Sequence, residues 1–196
     1  MKALSLALIT LLFVTPSWGN EPCKVITNLF KGTNTAYILF SQKTSLPIAG
    51  NNVTLYKGEI FYKRPLQFMW HYTWGSKMKI ISDGKSIETC FDDGSCQIYS
   101  LSETTDLFPL LLLAESPEIF LDKYRVVKTQ KSKNSEICEL EAKDKNLFFK
   151  KLIFFFKKEK LKSFKTIQRD GTEETFIIKE IKLNVPINKN IFKLKE

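Results

Sequence analysis

The chain is poor in the side chains that carry most catalytic and metal chemistry. It holds one histidine, His71, so a histidine base or a zinc centre has little to be built from. There is no Gly-x-Ser-x-Gly elbow and no grouping of carboxylates at catalytic spacing, and no Cys-x-x-Cys pair. We therefore expect no enzymatic centre, no metal and no cofactor. Arginine is equally scarce: of 30 basic residues only Arg64, Arg125 and Arg169 are arginine, and the lysines are spread through every segment. A surface that reads phosphate favours clustered arginine, so nucleic acid is not an expected partner. The formal net charge of +9 reads first as solubility for an apolar-rich chain, with a dedicated anion site as the other reading. The apolar run near the N-terminus is too short for a spanning helix, and nothing downstream reaches the roughly 18–20 uncharged residues that one needs.

What is present begins with an export signal. Lys2 precedes the apolar run Ala3–Val14, then Pro16 and the small-x-small triplet Ser17-Trp18-Gly19. That pattern predicts a cleavable leader over residues 1–19, with residues 20–196 as a single exported domain. Four cysteines in an exported chain predict two disulfides. Cys90 and Cys96 flank Phe91-Asp92-Asp93-Gly94-Ser95, a turn signal between strand-like runs, and would face each other on a hairpin. Cys23 and Cys138 would then pair. Cys23 is preceded by Asn20-Glu21-Pro22, an unsuitable context for lipidation.

Glu21–Lys31 has the stripe of a short helix, with Pro22 in its first turn and Gly32 at its end. From Tyr37 to Leu101 the apolar pattern has period two. It predicts strands over Tyr37–Gln42, Val53–Tyr56, Glu59–Lys63, Gln67–Tyr72, Lys77–Ile81, Ser86–Phe91 and Gln97–Leu101. The pattern breaks at Asp106–Leu121. There Pro109–Ala114 is apolar almost all round, and Ser116-Pro117 sets up a second helix start. A helix of that kind must be covered on most sides. Strands resume over Arg125–Thr129, Glu136–Ala142, Phe148–Phe156, Leu161–Gln168 and Thr175–Lys182, with Ile191–Leu194 as a final edge strand. The expected fold is mainly β with short helices (α+β): one strongly curved antiparallel sheet whose helices fill or cover its concave face. Sixteen Phe, six Tyr and three Trp supply the apolar lining, either as a cavity wall or as an ordinary packed core.

The block Gly58-Glu59-Ile60-Phe61-Tyr62-Lys63-Arg64-Pro65, then Phe68-Met69-Trp70, then Ser82-Asp83-Gly84-Lys85, closely resembles the periplasmic outer-membrane lipoprotein carrier family, LolA. Phe40-Ser41-Gln42-Lys43, Pro109–Ala114, Asp170-Gly171-Thr172 and Asn184-Val185-Pro186-Ile187 before Phe192 extend the resemblance over nearly all of residues 20–196. The resemblance implies an incomplete β-barrel with a helical lid over a hydrophobic cavity. It implies a monomer that binds the acyl chains of triacylated lipoproteins, takes them from an inner-membrane ABC transporter and passes them to an outer-membrane acceptor. By motif match Arg64 would be a lid latch, donating to carbonyls at Leu113 and Ala114. Phe68 and Trp70, with Leu110 and Leu111 of the lid, would contact acyl chains, pure core being the other reading for the two aromatics. The sequence departs from the family at Cys90 and Cys96, at Thr73-Trp74-Gly75, and in stopping at Glu196 soon after Phe192. A carrier of the same fold for another lipid or glycolipid is the alternative.

Overall fold

The computed structural model describes residues 23–47 and 52–195, without the side chain of Glu103; the expected leader lies outside the described residues. Eleven antiparallel strands form one sheet. They are β1 (Thr35–Leu46), β2 (Asn52–Lys63), β3 (Gln67–Trp74), β4 (Lys79–Asp83), β5 (Ser86–Cys90), β6 (Cys96–Ser100), β7 (Tyr124–Lys131), β8 (Ser135–Ala142), β9 (Phe149–Lys157), β10 (Lys160–Gln168) and β11 (Glu173–Leu183). Their order is β6-β5-β4-β3-β2-β1-β11-β10-β9-β8-β7. The sheet is two meanders joined where β1 pairs with β11, and its outer edges β6 and β7 do not pair with each other. The barrel is open.

Chain connectivity then dictates the lid. β6 ends at Ser100 and β7 begins at Tyr124, on opposite edges of the sheet. The intervening segment must cross from one edge to the other. It does so as α2 (Leu101–Thr104), a 3₁₀ turn over Thr105–Leu107, α3 (Pro109–Glu115) and α4 (Pro117–Lys123). All six side chains from Pro109 to Ala114 are buried, as an all-round apolar helix requires. Ser116 caps α4, its Oγ accepting from the Ile119 N–H at 3.3 Å, with Pro117 in the first turn. Lys123 pairs with Asp106 at 2.8 Å and ties the end of α4 back to the 3₁₀ turn.

The concave face is apolar because alternation puts one side of every central strand there. Ile38, Phe40 and Gln42 of β1 face Ile60 and Tyr62 of β2, then Phe68, Trp70 and Tyr72 of β3. Phe164, Phe176 and Phe154 continue the surface on β10, β11 and β9, in ring contacts between 4.9 and 5.7 Å. The expected break between Val53–Tyr56 and Glu59–Lys63 is absent: β2 runs through Gly58. Gly58 has no Cβ because the Phe40 ring lies over it; a Cβ there would sit 2.6 Å from Phe40 Cζ and 2.7 Å from the His71 carbonyl oxygen. The glycine is a packing residue, not a turn.

Two further expectations are corrected. Among the described residues the N-terminal helix is only α1 (Lys24–Asn28), with Ile26 and Phe30 buried against the sheet. Ile191–Leu194 is not an edge strand. Lys189–Phe192 is a 3₁₀ turn on the convex face, where Phe192 buries against Met69 and Ile81. Pro186 cannot donate to a ladder, and the outward-facing apolar residues of β3 and β4 offer the segment a better partner than a sheet edge would. Leu101 likewise leaves the expected strand and starts α2.

Candidate functional site

The Arg-Pro corner meets the C-terminal end of α3. Arg64 ends the β2 side of the corner, and its Nη2 donates to the Ala114 carbonyl at 2.6 Å. That carbonyl belongs to the last turn of α3, where intrahelical donors run out, so an outside donor is needed. Among the described residues this is the one hydrogen bond from Arg64 to a lid carbonyl. The Leu113 carbonyl does not share it, and Leu113 contributes a fully buried side chain instead. Its Nε–H is buried with no partner among the described residues.

A second residue works at the same joint. Glu115 Oε2 accepts from the Tyr62 hydroxyl at 2.8 Å and from the Leu66 N–H at 3.0 Å. Burial, then the hydrogen bond to Glu115, pushes the Tyr62 phenol far above its ordinary range. Tyr62 therefore stays a donor. Sequence reasoning missed Glu115, although a signal existed. A carboxylate at a helix C-terminus opposes the helix dipole and asks for a partner elsewhere.

Beneath α3 lies an apolar cavity of about 260 Å³. Its walls are Trp70 and Tyr72 of β3, Leu110 of α3, Phe108 before it, and Phe164 and Phe176 of the sheet. Exposed Leu107 and Phe148 stand at its mouth. The four proposed acyl contacts therefore divide. Trp70 and Leu110 line the cavity. Phe68 is covered by Phe108, with ring centroids 5.0 Å apart, and Leu111 is buried in the packing of α3 one helical step away from Leu110. Phe108, Phe164 and Phe176 were not singled out in the sequence.

At the β11 end the cavity turns polar. Glu174 lines it with Thr166. Glu174 Oε1 accepts from Gln42 Nε2 at 3.3 Å and Oε2 from Thr166 Oγ1 at 3.2 Å. Burial pushes the Glu174 carboxyl above its usual range, and the Thr166 hydrogen bond only partly opposes this. Strand alternation carries the signal here too, since Glu174 shares a face with Phe176 and Ile178.

The cysteines stand as two disulfides, Cys23–Cys138 and Cys90–Cys96, with Cα atoms 5.8 and 4.1 Å apart. The first ties the start of α1 to β8; the second clamps the β5–β6 hairpin. Their bonded sulfurs offer no thiolate to a metal. His71 faces away from Phe68 and Trp70 and sits 3.4 Å from Glu59, half-exposed.

Fold and site together define an open-barrel protein with a helix-covered apolar cavity. The chain belongs to the LolA family: the family profile described as "Outer membrane lipoprotein carrier protein LolA" matches residues 31–195. It is similar to an outer-membrane lipoprotein carrier protein of Photobacterium profundum, at 25% identity over 89% of this chain and 84% of that one. It is also similar to one of Pseudomonas entomophila, at 25% identity over 86% and 81% of the two chains. The fold resembles a solved structure of an uncharacterized conserved protein from Thermus thermophilus, with TM-score 0.52 and 9% identity over 88% of this chain and 93% of that one.

Proposed function

We propose that this chain is a periplasmic carrier, not an enzyme. It takes the acyl chains of lipoproteins into the cavity under α3, and moves them from an inner-membrane transporter to an outer-membrane acceptor. The observation that carries this reading is an apolar cavity beneath α3, whose residues Pro109 to Ala114 are all apolar and buried and whose C-terminal end is held by Arg64 and Glu115. The cavity's 260 Å³ falls below the roughly 300–1,000 Å³ of ordinary small-ligand sites, so cargo with several acyl chains requires α3 to withdraw. The energetics suit a reversible latch. A hydrogen bond from a charged donor contributes about 1.5–3 kcal/mol, and each buried methylene about 0.8 kcal/mol. Roughly two to four methylenes entering the cavity offset the loss of the Arg64 contact.

The names of its relatives support lipoprotein as the cargo. Mass spectrometry of material co-purified with the protein from the periplasm tests it. Acylated polypeptides bound in stoichiometric amount are the expected result. A free glycolipid in their place would overturn the lipoprotein reading and leave a carrier of the same fold with different cargo.

A further inference from the structure

The acyl cavity contains an unfilled donor and an under-used acceptor, and together they specify the group that joins cargo to chain. Trp70 lines the cavity at 8% exposure, and its indole N–H is buried with no acceptor among the described residues. The Tyr72 hydroxyl is close enough to feel that N–H but receives no properly directed hydrogen bond from it, and instead donates to Gln42 Oε1 at 2.7 Å. Gln42 in turn donates to Glu174, which also accepts from Thr166. Gln42 and Thr166, at 4% and 1% exposure, are locked as neighbours. An ionised carboxylate has about four acceptor positions, and those of Glu174 take two bonds, both long and both from neutral donors. Among the described residues no Lys, Arg or His pairs with it, in a chain with net charge +9.

A buried donor without an acceptor, and a half-buried carboxylate without a cation in the wall of an apolar cavity, are each unfavourable. Hydrocarbon alone would not relieve either. A secondary amide would relieve both, since its carbonyl accepts and its N–H donates. An ester carries only the carbonyl, and a free fatty carboxylate would place like charges together.

We propose that the Trp70–Glu174 end of the cavity is a recognition site for an amide-linked acyl chain, with the indole N–H donating to the amide carbonyl and Glu174 accepting from the amide N–H. This rests on the reading of the cavity as an acyl site and adds the linkage it prefers. It also assigns the buried polar cluster of β1, β3, β10 and β11 a role that apolar packing leaves unexplained.

Three neutral probes of equal chain length test it on the intact protein by calorimetry: N-methyl dodecanamide, N,N-dimethyl dodecanamide and methyl dodecanoate. The N-methyl amide should bind about 10-fold more tightly than the ester, and the dimethyl amide, which lacks the N–H, should fall to the level of the ester. In Glu174→Met the ratio of N-methyl amide to ester should drop to about one. In Trp70→Phe all three probes should weaken, because each loses the donor to its carbonyl. Equal affinity of the N-methyl amide and the ester in the wild type, or a preference that survives Glu174→Met or removal of the N–H, overturns the proposal while leaving the acyl cavity in place. No binding of any probe overturns both.

Discussion

Replacing Arg64 with leucine is expected to raise the affinity for an acyl probe while slowing its hand-over to an acceptor. The reason lies in one contact. In the closed form Arg64 Nη2 satisfies the Ala114 carbonyl, and no other described side chain takes its place. Without it the closed lid keeps a helix-end carbonyl shielded from water and unpaired, at a cost of about 1–3 kcal/mol, besides losing the charged bond itself. Glu115 continues to hold Tyr62 and Leu66, so the lid loosens rather than detaches. A shift of about 1.5–3 kcal/mol toward the open form corresponds to roughly 10- to 150-fold in its population. Where the open form is the binding-competent one, affinity rises by a comparable factor until that form predominates. Amide exchange over residues 110–115 should speed up in parallel, and Arg64→Lys should fall between wild type and leucine, because a point charge replaces a planar fork. Unchanged affinity, exchange and transfer in Arg64→Leu would remove the latch. A lower melting temperature with no change in these readouts would make Arg64 a structural residue only.

The largest stability effect is expected from the Cys23–Cys138 disulfide. It closes a span of 115 residues, against 6 for Cys90–Cys96. On the chain-entropy argument the long loop contributes about 4.7 kcal/mol and the hairpin about 2 kcal/mol. The long bridge also anchors α1, which at five residues is far below the length at which a helix holds itself. It keeps Ile26 and Phe30 against the sheet, at 1% and 2% exposure. The paired substitution Cys23→Ala/Cys138→Ala should lower the melting temperature by roughly 10–20 °C, and Cys90→Ala/Cys96→Ala by less than half of that. Thermal unfolding by circular dichroism distinguishes them. Equal losses, or a larger one for the hairpin pair, would contradict the assignment of the long bridge as the principal staple.

The strands were legible because half-buried antiparallel strands alternate, and this chain alternates cleanly from Tyr37 onward. The lid was legible because Pro109–Ala114 breaks that alternation with apolar side chains on every side. Local patterns fail where distant residues decide. Gly58 reads as a break, yet it lies within β2 because the Phe40 ring from the neighbouring strand occupies the space of its Cβ. Ile191–Leu194 reads as strand, yet Phe192 finds Met69 and Ile81 on the convex face. At the site, Arg64 was identifiable from a motif. Glu115 and Glu174 were not, because their partners come from β1, β2, the β2–β3 corner and β10 and only the fold brings them together. The division of Leu110 and Leu111 between cavity and packing depends on the rotation of α3, which an all-apolar helix does not encode in its own sequence.

The central claim is that acyl chains enter the space between Trp70 and α3. Residues 20–196 contain two tryptophans, buried Trp70 in the cavity wall and Trp74, 54% exposed at the end of β3. In a chain carrying Trp18→Phe and Trp74→Phe, Trp70 is the sole indole. Titration with an acyl probe brominated along its chain, which quenches indole fluorescence only on close contact, then reads the cavity directly. The account predicts saturable quenching of Trp70 by the brominated probe and none by its unbrominated twin. Saturable binding of the brominated probe that leaves Trp70 unquenched would place the acyl chain elsewhere and contradict it.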